Sequence, residues 1–241
     1  MMKAAFLFTK EDFVKEKAKT IANTINYCVL VKSAMEGHDL KVTGDQLACK
    51  AGAKAIGLIE MDDYHISGQN GKKLGLYHNQ VISKNVRERM AYCNHSAYGV
   101  LIKPIESYTD EEEPDVVLIV TRPYQVMRIV QSYSHYYGLQ PAFQITGNQA
   151  ICSESTAFPY MNGSLNVSML CIGTRHRAKW DDDEMAVAFP FHQLEKVSDG
   201  LMKTINIMDD NGKKKVVEKK MDQCRLQEPK IKYDFNYYNL I

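Results

Sequence analysis

The second half of this 241-residue sequence repeats short patterns of the first half in the same order. The apolar run at residues 5–8, followed by Thr9-Lys10, matches the run at 117–120, followed by Thr121-Arg122. Further along, residues 43–46 (Thr-Gly-Asp-Gln) match residues 146–149 (Thr-Gly-Asn-Gln), and each turn is followed by a cysteine. An ordered repeat of this kind predicts an internal duplication with an approximate twofold axis between the halves.

The order of predicted elements gives the fold class. The first half reads as a strand at 3–8, a long helical stretch at 11–37, a strand at 39–42 and a helix at 49–56. The second half reads as a strand at 115–120, a helix from Pro123 to Gly138 and a strand at 142–145. Weaker matches are helices at 77–90 and 191–202 and strands at 99–103 and 168–172. We predict an α/β fold with largely parallel strands, in which similar halves at 1–113 and 114–205 form one compact unit.

The segment at 206–241 is predicted to be a C-terminal extension. Asp210-Asn211-Gly212, between the apolar residues at 205–207 and 216–217, indicates a β-hairpin. Residues 233–238 are aromatic and alternating, and they are compatible with an edge strand, with an arm that packs on the second subunit of a homodimer, or with a frayed end.

Composition excludes several classes of partner. The net charge of +1 provides no basic surface of the kind that binds nucleic acid, so no nucleic-acid partner is expected. No window approaches the roughly 18 apolar residues of a membrane-spanning helix. We therefore expect a cytoplasmic protein that does not enter a membrane and keeps its six cysteines reduced.

Cations follow the predicted strands of both halves. Ligands bind at the carboxyl ends of strands in parallel α/β sheets, so these cations predict a positive pocket for a small anionic molecule between the halves. The alternative is that they are ordinary solvated strand ends. Threonines that open the two matching turns add hydroxyl groups that suit helix starts. The residues predicted to bind the ligand are Lys10, Arg122, Lys103, Arg175, Thr43 and Thr146.

The cysteines support three interpretations. They are small core side chains, or ligands of a metal ion or iron–sulfur cluster, or reactive thiols. Cys49 and Cys152 occupy matching positions in the two halves. The residues of the metal alternative are Cys28, Cys49, Cys152 and Cys171.

A reactive thiol is best placed at Cys171, because Arg175 four residues later can stabilise a thiolate. A catalytic cysteine also needs a base, for which His176, His192 and Glu184 are candidates. The alternative is a core strand cysteine followed by a surface loop. Whether the protein is an enzyme stays open.

Several ordered motifs resemble the family known as domain of unknown function 169, which occurs in archaea and bacteria. They comprise Cys28 with residues 34–37, the segment at 49–58, the segment at 114–118 with 125–127, and Cys152 followed by 171–175, 183–185 and 189–190. The resemblance covers about residues 25–205 and implies a soluble domain of one family, without an activity. Its motif positions fall on Cys28, Cys49, Cys152, Cys171 and Arg175. The sequence departs from the family pattern at its N-terminal helical stretch and at its tail.

Overall fold

The computed structural model describes residues 1–109, 113–205 and 212–227, in which one seven-stranded sheet carries helices on both faces. The strands are β1 (Met2–Leu7), β2 (Lys19–Thr20), β3 (Leu40–Thr43), β4 (Gly99–Pro104), β5 (Val116–Thr121), β6 (Asn166–Ser168) and β7 (Met185–Pro190). The α-helices are α1 (Lys10–Lys15), α2 (Tyr27–Met35), α3 (Lys50–Ala55), α4 (Asp63–Ile66), α5 (Gln69–Lys73), α6 (Gln80–Arg89), α7 (Pro123–Tyr137), α8 (Phe158–Asn162), α9 (Ile172–Ala178), α10 (Leu194–Lys203) and α11 (Gly212–Gln227). Short 3-10 helices cover Gly44–Gln46, Ile105–Ser107 and Phe191–Gln193, and a π-helix covers Ala150–Ala157.

The α/β class is confirmed, but the prediction of largely parallel strands is wrong. The strand order is β2-β3-β4-β1-β5-β7-β6, and among these strands only β2 and β3 pair in parallel. The prediction assumed that each strand pairs with the next one along the chain after a helical crossover. Instead, β1 lies between β4 and β5 and runs antiparallel to both.

The strand order itself is nearly symmetric. Without β2, the sheet consists of β3-β4-β1 and, in mirrored order, β5-β7-β6, and each neighbouring pair is antiparallel. If β1 is matched with β5, β3 with β6 and β4 with β7, the two groups of three strands also follow the same order along the chain. Moreover, β4 and β7 both end in proline and are followed by a 3-10 helix. However, β3 precedes α3 along the chain, whereas β6 follows the π-helix. An internal duplication therefore stays a prediction, as do the boundaries of the two halves.

Alternate residues of the strands point into different apolar layers, as the two-residue period of a strand requires. On β5, Val116, Leu118 and Val120 face a core that is shared with α2, α3 and the π-helix. Val117 and Ile119 face the opposite layer, which packs on α7 and α10. A third, smaller group of apolar side chains lies under α1. The sheet thus separates α7 and α10 from the helices that carry the cysteines.

Several predicted boundaries are confirmed. The strands β1, β4 and β5 and the helix α3 lie where the apolar patterns predicted them. The helix α7 begins at Pro123, whose missing N–H suits a first turn, and ends at Gly138, which takes a φ of 74°.

Other predicted elements are wrong. The long stretch at 11–37 is α1, β2 and α2. Residues 142–145 form no strand, and Gln144 instead hydrogen-bonds the side chain of Asn166. The strand predicted at 168–172 ends at Ser168, and Ile172 already begins α9.

The C-terminal hairpin is also wrong in the part that the structure describes. Residues 216 and 217, predicted as its second strand, lie in α11. The lysine-rich sequence that surrounds them favours a helix over a strand. Residues 206–211, with most of the predicted turn, and the tail at 228–241 lie outside the described residues.

Candidate functional site

The cations of the predicted anion pocket do not share one location. Lys10 follows β1 at the end where Leu7 pairs with Gly99, whereas Lys103 pairs with Lys3 at the opposite end. Lys103 is buried, and its Nζ lies 3.7 Å from a carboxylate oxygen of Glu16. The expected convergence of strand ends failed because it required parallel strands.

The arginines also have local partners. Arg122 is exposed at the start of α7 and pairs with Asp183 at 3.1 Å. Arg175 donates hydrogen bonds to the backbone carbonyls of Met169 at 3.0 Å, Glu184 at 2.9 Å and Asp181. Arg175 therefore ties α9 to the loop that leads into β7.

The two threonines stabilise turns. The Gln46 side chain accepts a hydrogen bond from the Thr43 backbone N–H at 2.9 Å. The Thr146 hydroxyl donates to the backbone carbonyl of Asn148 at 2.8 Å. These contacts account for both threonines as turn formers, and binding of a small anionic molecule stays a prediction.

Four cysteines that are far apart in the sequence lie in, or immediately before, helices that pack against one another. Cys28 is the second residue of α2, Cys49 immediately precedes α3, Cys152 is the third residue of the π-helix, and Cys171 immediately precedes α9. The helix α2 packs against α9 and the π-helix, and α3 packs against the π-helix as well. We call Cys28, Cys49, Cys152 and Cys171 the four-cysteine set.

Burial raises the pKa of two of these thiols. Burial raises the pKa of Cys28 to about 12, and negative charge on Cys171 and Cys49 adds to the rise. Burial also raises the pKa of Cys152 well above its usual range, with further contributions from Cys49, Cys171 and Cys28. Cys28 and Cys152 are therefore neutral thiols at physiological pH, and a nearby positive charge would be needed to ionise them.

Two glycines leave free space beside the sulfur atoms. A methyl group on Gly52 would lie 3.6 Å from Sγ of Cys49 and 3.7 Å from Sγ of Cys152. A methyl group on Gly173 would lie 3.8 Å from Sγ of Cys171 and would meet no other atom within 4 Å. A residue larger than glycine at position 52 or 173 would therefore place its side chain against these sulfur atoms.

The described cysteines are all free thiols. Within residues 1–109, 113–205 and 212–227, no group of three or more His, Cys, Asp and Glu side chains is arranged to hold a metal ion.

Cys171 has a hydrogen-bond partner, but not one of the predicted bases. Its sulfur accepts from the Thr174 backbone N–H at 3.4 Å and lies 3.0 Å from the Thr174 hydroxyl. Among the hydrogen bonds of the described residues, none joins Cys171 to His176, His192 or Glu184, and Glu184 accepts from the Asp181 N–H at 2.8 Å. The arrangement gives no support to Cys171 as a catalytic nucleophile.

Two buried polar groups in the same region have no hydrogen-bond partner. They are the Ser155 hydroxyl, in the π-helix, and the indole N–H of Trp180, two residues beyond α9. Trp180 belongs to the apolar layer that includes Cys152, and the Lys32 ammonium lies 5.5 Å from its ring. Buried donors without partners cost stability, so both groups are available to hydrogen-bond a bound group.

Sequence reasoning missed the residues that shape the turn before Cys152. Glu154 is fully buried and accepts hydrogen bonds from the Thr146 backbone N–H at 2.6 Å, the Thr146 hydroxyl at 3.0 Å and the Ser168 hydroxyl. Gln149 takes a left-handed φ of 53° and accepts from the Tyr92 hydroxyl. A charged residue inside the small, apolar run at 150–157 was the available signal for Glu154.

Comparison with known proteins identifies the family. The family described as uncharacterised ArCR, domain of unknown function 169, matches residues 4–200. This chain belongs to the domain of unknown function 169 family. A curated relative is an uncharacterized protein of Methanocaldococcus jannaschii, which is 24% identical over 202 residues, covering 82% of this chain and 85% of the relative. No solved structure matches the chain.

The resemblance inferred from the motifs is thus confirmed. The family match includes all members of the four-cysteine set and ends before α11. In this domain of unknown function 169 protein, none of the described helices is both long and apolar enough to cross a membrane.

Proposed function

We propose that this protein binds an iron–sulfur cluster through Cys28, Cys49, Cys152 and Cys171. The observation that carries the proposal is the packing of α2 against α9 and the π-helix, and of α3 against the π-helix, since Cys28 and Cys152 lie within α2 and the π-helix and Cys49 and Cys171 immediately precede α3 and α9. Four thiolates are the usual ligand set of [2Fe–2S] and [4Fe–4S] clusters.

Electrostatics supports a bound cation at this position. Cys28 and Cys152 resist ionisation mainly because burial disfavours a thiolate, and negative charge on the other cysteines of the set adds to the rise in pKa. Iron removes this obstacle, since a coordinating thiol is deprotonated by the metal. Binding then releases protons, so affinity should fall as the pH is lowered.

A cluster is a better candidate than a single ion. A tetrahedral site for one ion needs four sulfur atoms at about 2.3 Å from a common centre. Among the described residues, no group of three or more His, Cys, Asp and Glu side chains is arranged to hold a metal ion, so the thiols would have to move to bind either group. A cluster holds its cysteine ligands further apart than a single ion does, and Gly52 places no side chain beside the sulfur atoms of Cys49 and Cys152.

The unpartnered Ser155 hydroxyl and Trp180 N–H support the same proposal. Hydrogen bonds to the sulfur atoms of a cluster stabilise it and adjust its reduction potential. Both groups are buried close to helices that supply the cysteines. A cluster would supply acceptors that the surrounding apolar side chains lack.

The test is anaerobic purification followed by reconstitution with ferrous iron and sulfide. We expect stoichiometric iron and acid-labile sulfide, visible absorption that bleaches with dithionite, and loss of all three in Cys152→Ala. Cys93→Ala is the matched control. Cys93 is also buried, and burial raises its pKa to about 12, but the charged group that adds to this rise is Asp115 rather than another cysteine. Stoichiometric zinc without sulfide would point to a single ion, and a metal-free protein would exclude both.

A further inference from the structure

A half-buried arginine on α6 carries a positive charge that no ion pair neutralises in the part of the chain that the structure describes. The Cζ atom of Arg87 lies 3.7 Å from the centre of the Tyr92 ring, and Nε of Arg87 is buried without a hydrogen-bond partner. The next residue, Glu88, pairs with Lys84 instead. An arginine stays charged at physiological pH, and a charge that is partly removed from water is costly until an anion pairs with it.

Tyr92 fixes the position of this guanidinium. The Tyr92 side chain is half-buried, and its hydroxyl donates a hydrogen bond to the side-chain carbonyl of Gln149. The Gln149 side chain also donates to the backbone carbonyl of Ala51 at 3.5 Å. Because stacking on a ring uses none of the N–H donors of a guanidinium, the Nη donors of Arg87 stay available to a ligand.

Tyr77 brings a second hydroxyl to the same region. A methyl group on Gly71 would collide with both the Tyr77 ring and the Ser83 hydroxyl, so Tyr77 packs beside Ser83. Arg87 follows Ser83 by four residues and therefore lies one turn further along the same face of α6. Burial raises the pKa of Tyr77, and a hydrogen bond from the Asn148 side chain opposes that rise. Tyr77 is thus a neutral hydroxyl between α6 and the turn at 146–149.

A carboxylate near Tyr77 already has other partners. Negative charge on Glu154 adds to the rise in the pKa of Tyr77, but Glu154 is fully buried and accepts hydrogen bonds from Thr146 and Ser168. Burial also raises the pKa of Glu154, which favours its neutral form. The positive charge of Arg87 is therefore left for an anion from solution.

We infer that Arg87, Tyr77 and the turn at 146–149 form a binding site for a small oxyanion of the carboxylate or phosphate class. The Nη donors of Arg87 and the hydroxyl of Tyr77 bind the oxygen atoms of the anion, while Tyr92 keeps the guanidinium in place. The site uses none of the cations that the sequence predicted, because those follow strands and Arg87 lies on a helix. It contains no cysteine, so it is independent of the proposed cluster.

The first experiment follows the Nε–H signal of Arg87 by heteronuclear NMR of the full chain. Burial of Nε should slow exchange of its proton with water, and Arg87→Met assigns the signal by removing it. We expect a saturable shift with sodium phosphate or sodium acetate beyond that caused by sodium chloride at equal ionic strength. The probe that binds more tightly identifies the class of oxyanion, and no saturable shift with either probe would overturn the inference.

The second experiment measures the affinity of the tighter probe by isothermal titration calorimetry. Arg87→Met should weaken binding by about tenfold or more, because it removes hydrogen bonds to a charged group. Arg89→Met is the matched control on the same helix, and removal of this exposed charge should change the affinity by about twofold or less. Equal losses in the two variants would show general attraction to positive charge and would overturn the site.

Two further variants test the geometry of the site. Tyr77→Phe should weaken binding by about threefold, as expected for one neutral hydrogen bond, whereas Tyr64→Phe, at an exposed position of α4, should not. Circular dichroism checks that each variant folds. If Arg87→Met does not fold, Arg87→Lys replaces it, since lysine keeps the charge but lacks the planar pair of donors and should still weaken binding. Unchanged affinity in both Arg87→Lys and Tyr77→Phe would contradict the inference.

Discussion

At the scale of single residues, glycine at position 52 matters as much as the cysteines. The methyl group of an alanine there would only touch Sγ of Cys49 and Cys152, at 3.6 and 3.7 Å, so the apoprotein should accept it. The same methyl group would fill space that a cluster needs. The position therefore separates the requirements of folding from those of binding.

We predict that Gly52→Ala stabilises the apoprotein and weakens cluster binding. Replacing glycine inside α3 by alanine should raise the free energy of unfolding by about 0.5–1 kcal/mol. Iron and sulfide content after reconstitution should fall well below that of the wild type. Urea unfolding and metal analysis measure the two effects separately, and a Gly52→Ala protein with full iron content would show that the cluster lies elsewhere.

Trp180 provides a built-in probe, since it is the only tryptophan in the chain. We predict that reconstitution quenches its fluorescence, because the visible absorption of a cluster near α9 accepts its excitation energy. Cys152→Ala treated in the same way should keep the emission of the apoprotein. Equal emission from the wild type with and without bound iron would contradict a cluster close to Trp180.

At the scale of elements, the turn at 146–149 and the π-helix depend on one buried carboxylate. Glu154 joins Thr146 to Ser168 on β6 and thereby fixes the segment that carries Cys152. Burial raises the pKa of Glu154, while the hydrogen bonds from Ser168 and Thr146 oppose that rise. Buried π-helical turns often occur at functional sites, which agrees with the position of Cys152 inside this one.

We predict that Glu154→Gln lowers the free energy of unfolding by about 1–3 kcal/mol, because an amide cannot accept all of these hydrogen bonds. The same change should reduce cluster retention through displacement of Cys152. Glu195→Gln, at an exposed position in the first turn of α10, is the control and should leave both properties unchanged. Urea unfolding of the two variants tests the first effect, and the rate of iron loss to a chelator tests the second.

The same elements show what the sequence could and could not predict. Apolar runs with clear ends, such as those of β5 and α7, were found because burial and proline or glycine signals are local. Strand direction was not, because β1 pairs with β4 and β5, which lie about 100 residues away. The four cysteines could be proposed from the sequence as one alternative set of ligands. The burial of Glu154 and the space beside Gly52 could not be predicted, because both depend on packing between distant segments.

At the scale of the whole molecule, buried thiols should make the apoprotein less stable as the pH rises into the alkaline range. Cys28 ionises near its ordinary pKa of 9.0 in the unfolded chain and at about 12 in the folded protein. Between these values the unfolded state has released a proton that the folded state retains, so the free energy of unfolding falls as pH rises. The contribution of the neutral Cys28 thiol to the free energy of unfolding is complete below pH 9 and is lost progressively up to about pH 12.

We predict a decline of up to about 1.4 kcal/mol per pH unit for each buried thiol of the apoprotein in this range. In the cluster-bound protein, the thiols of the four-cysteine set are already deprotonated, so the decline should be smaller. Cys93→Ala should reduce the decline in both forms, because Cys93 lies outside the set. Urea unfolding at several pH values, with and without the cluster, makes the comparison, and identical slopes would contradict the assignment of Cys28 and Cys152 as ligands.

The spread of the four cysteines along the chain has a consequence for biosynthesis. Cys28 and Cys49 leave the ribosome early, but Cys171 follows only after most of the chain has been made. A cluster that needs all four thiols, as proposed, could be inserted only after the segment with Cys171 has been made, so it could not template the folding of the first segment. Until then, Cys28 and Cys49 would stay without their bound group while β1, α2 and α3 begin to fold.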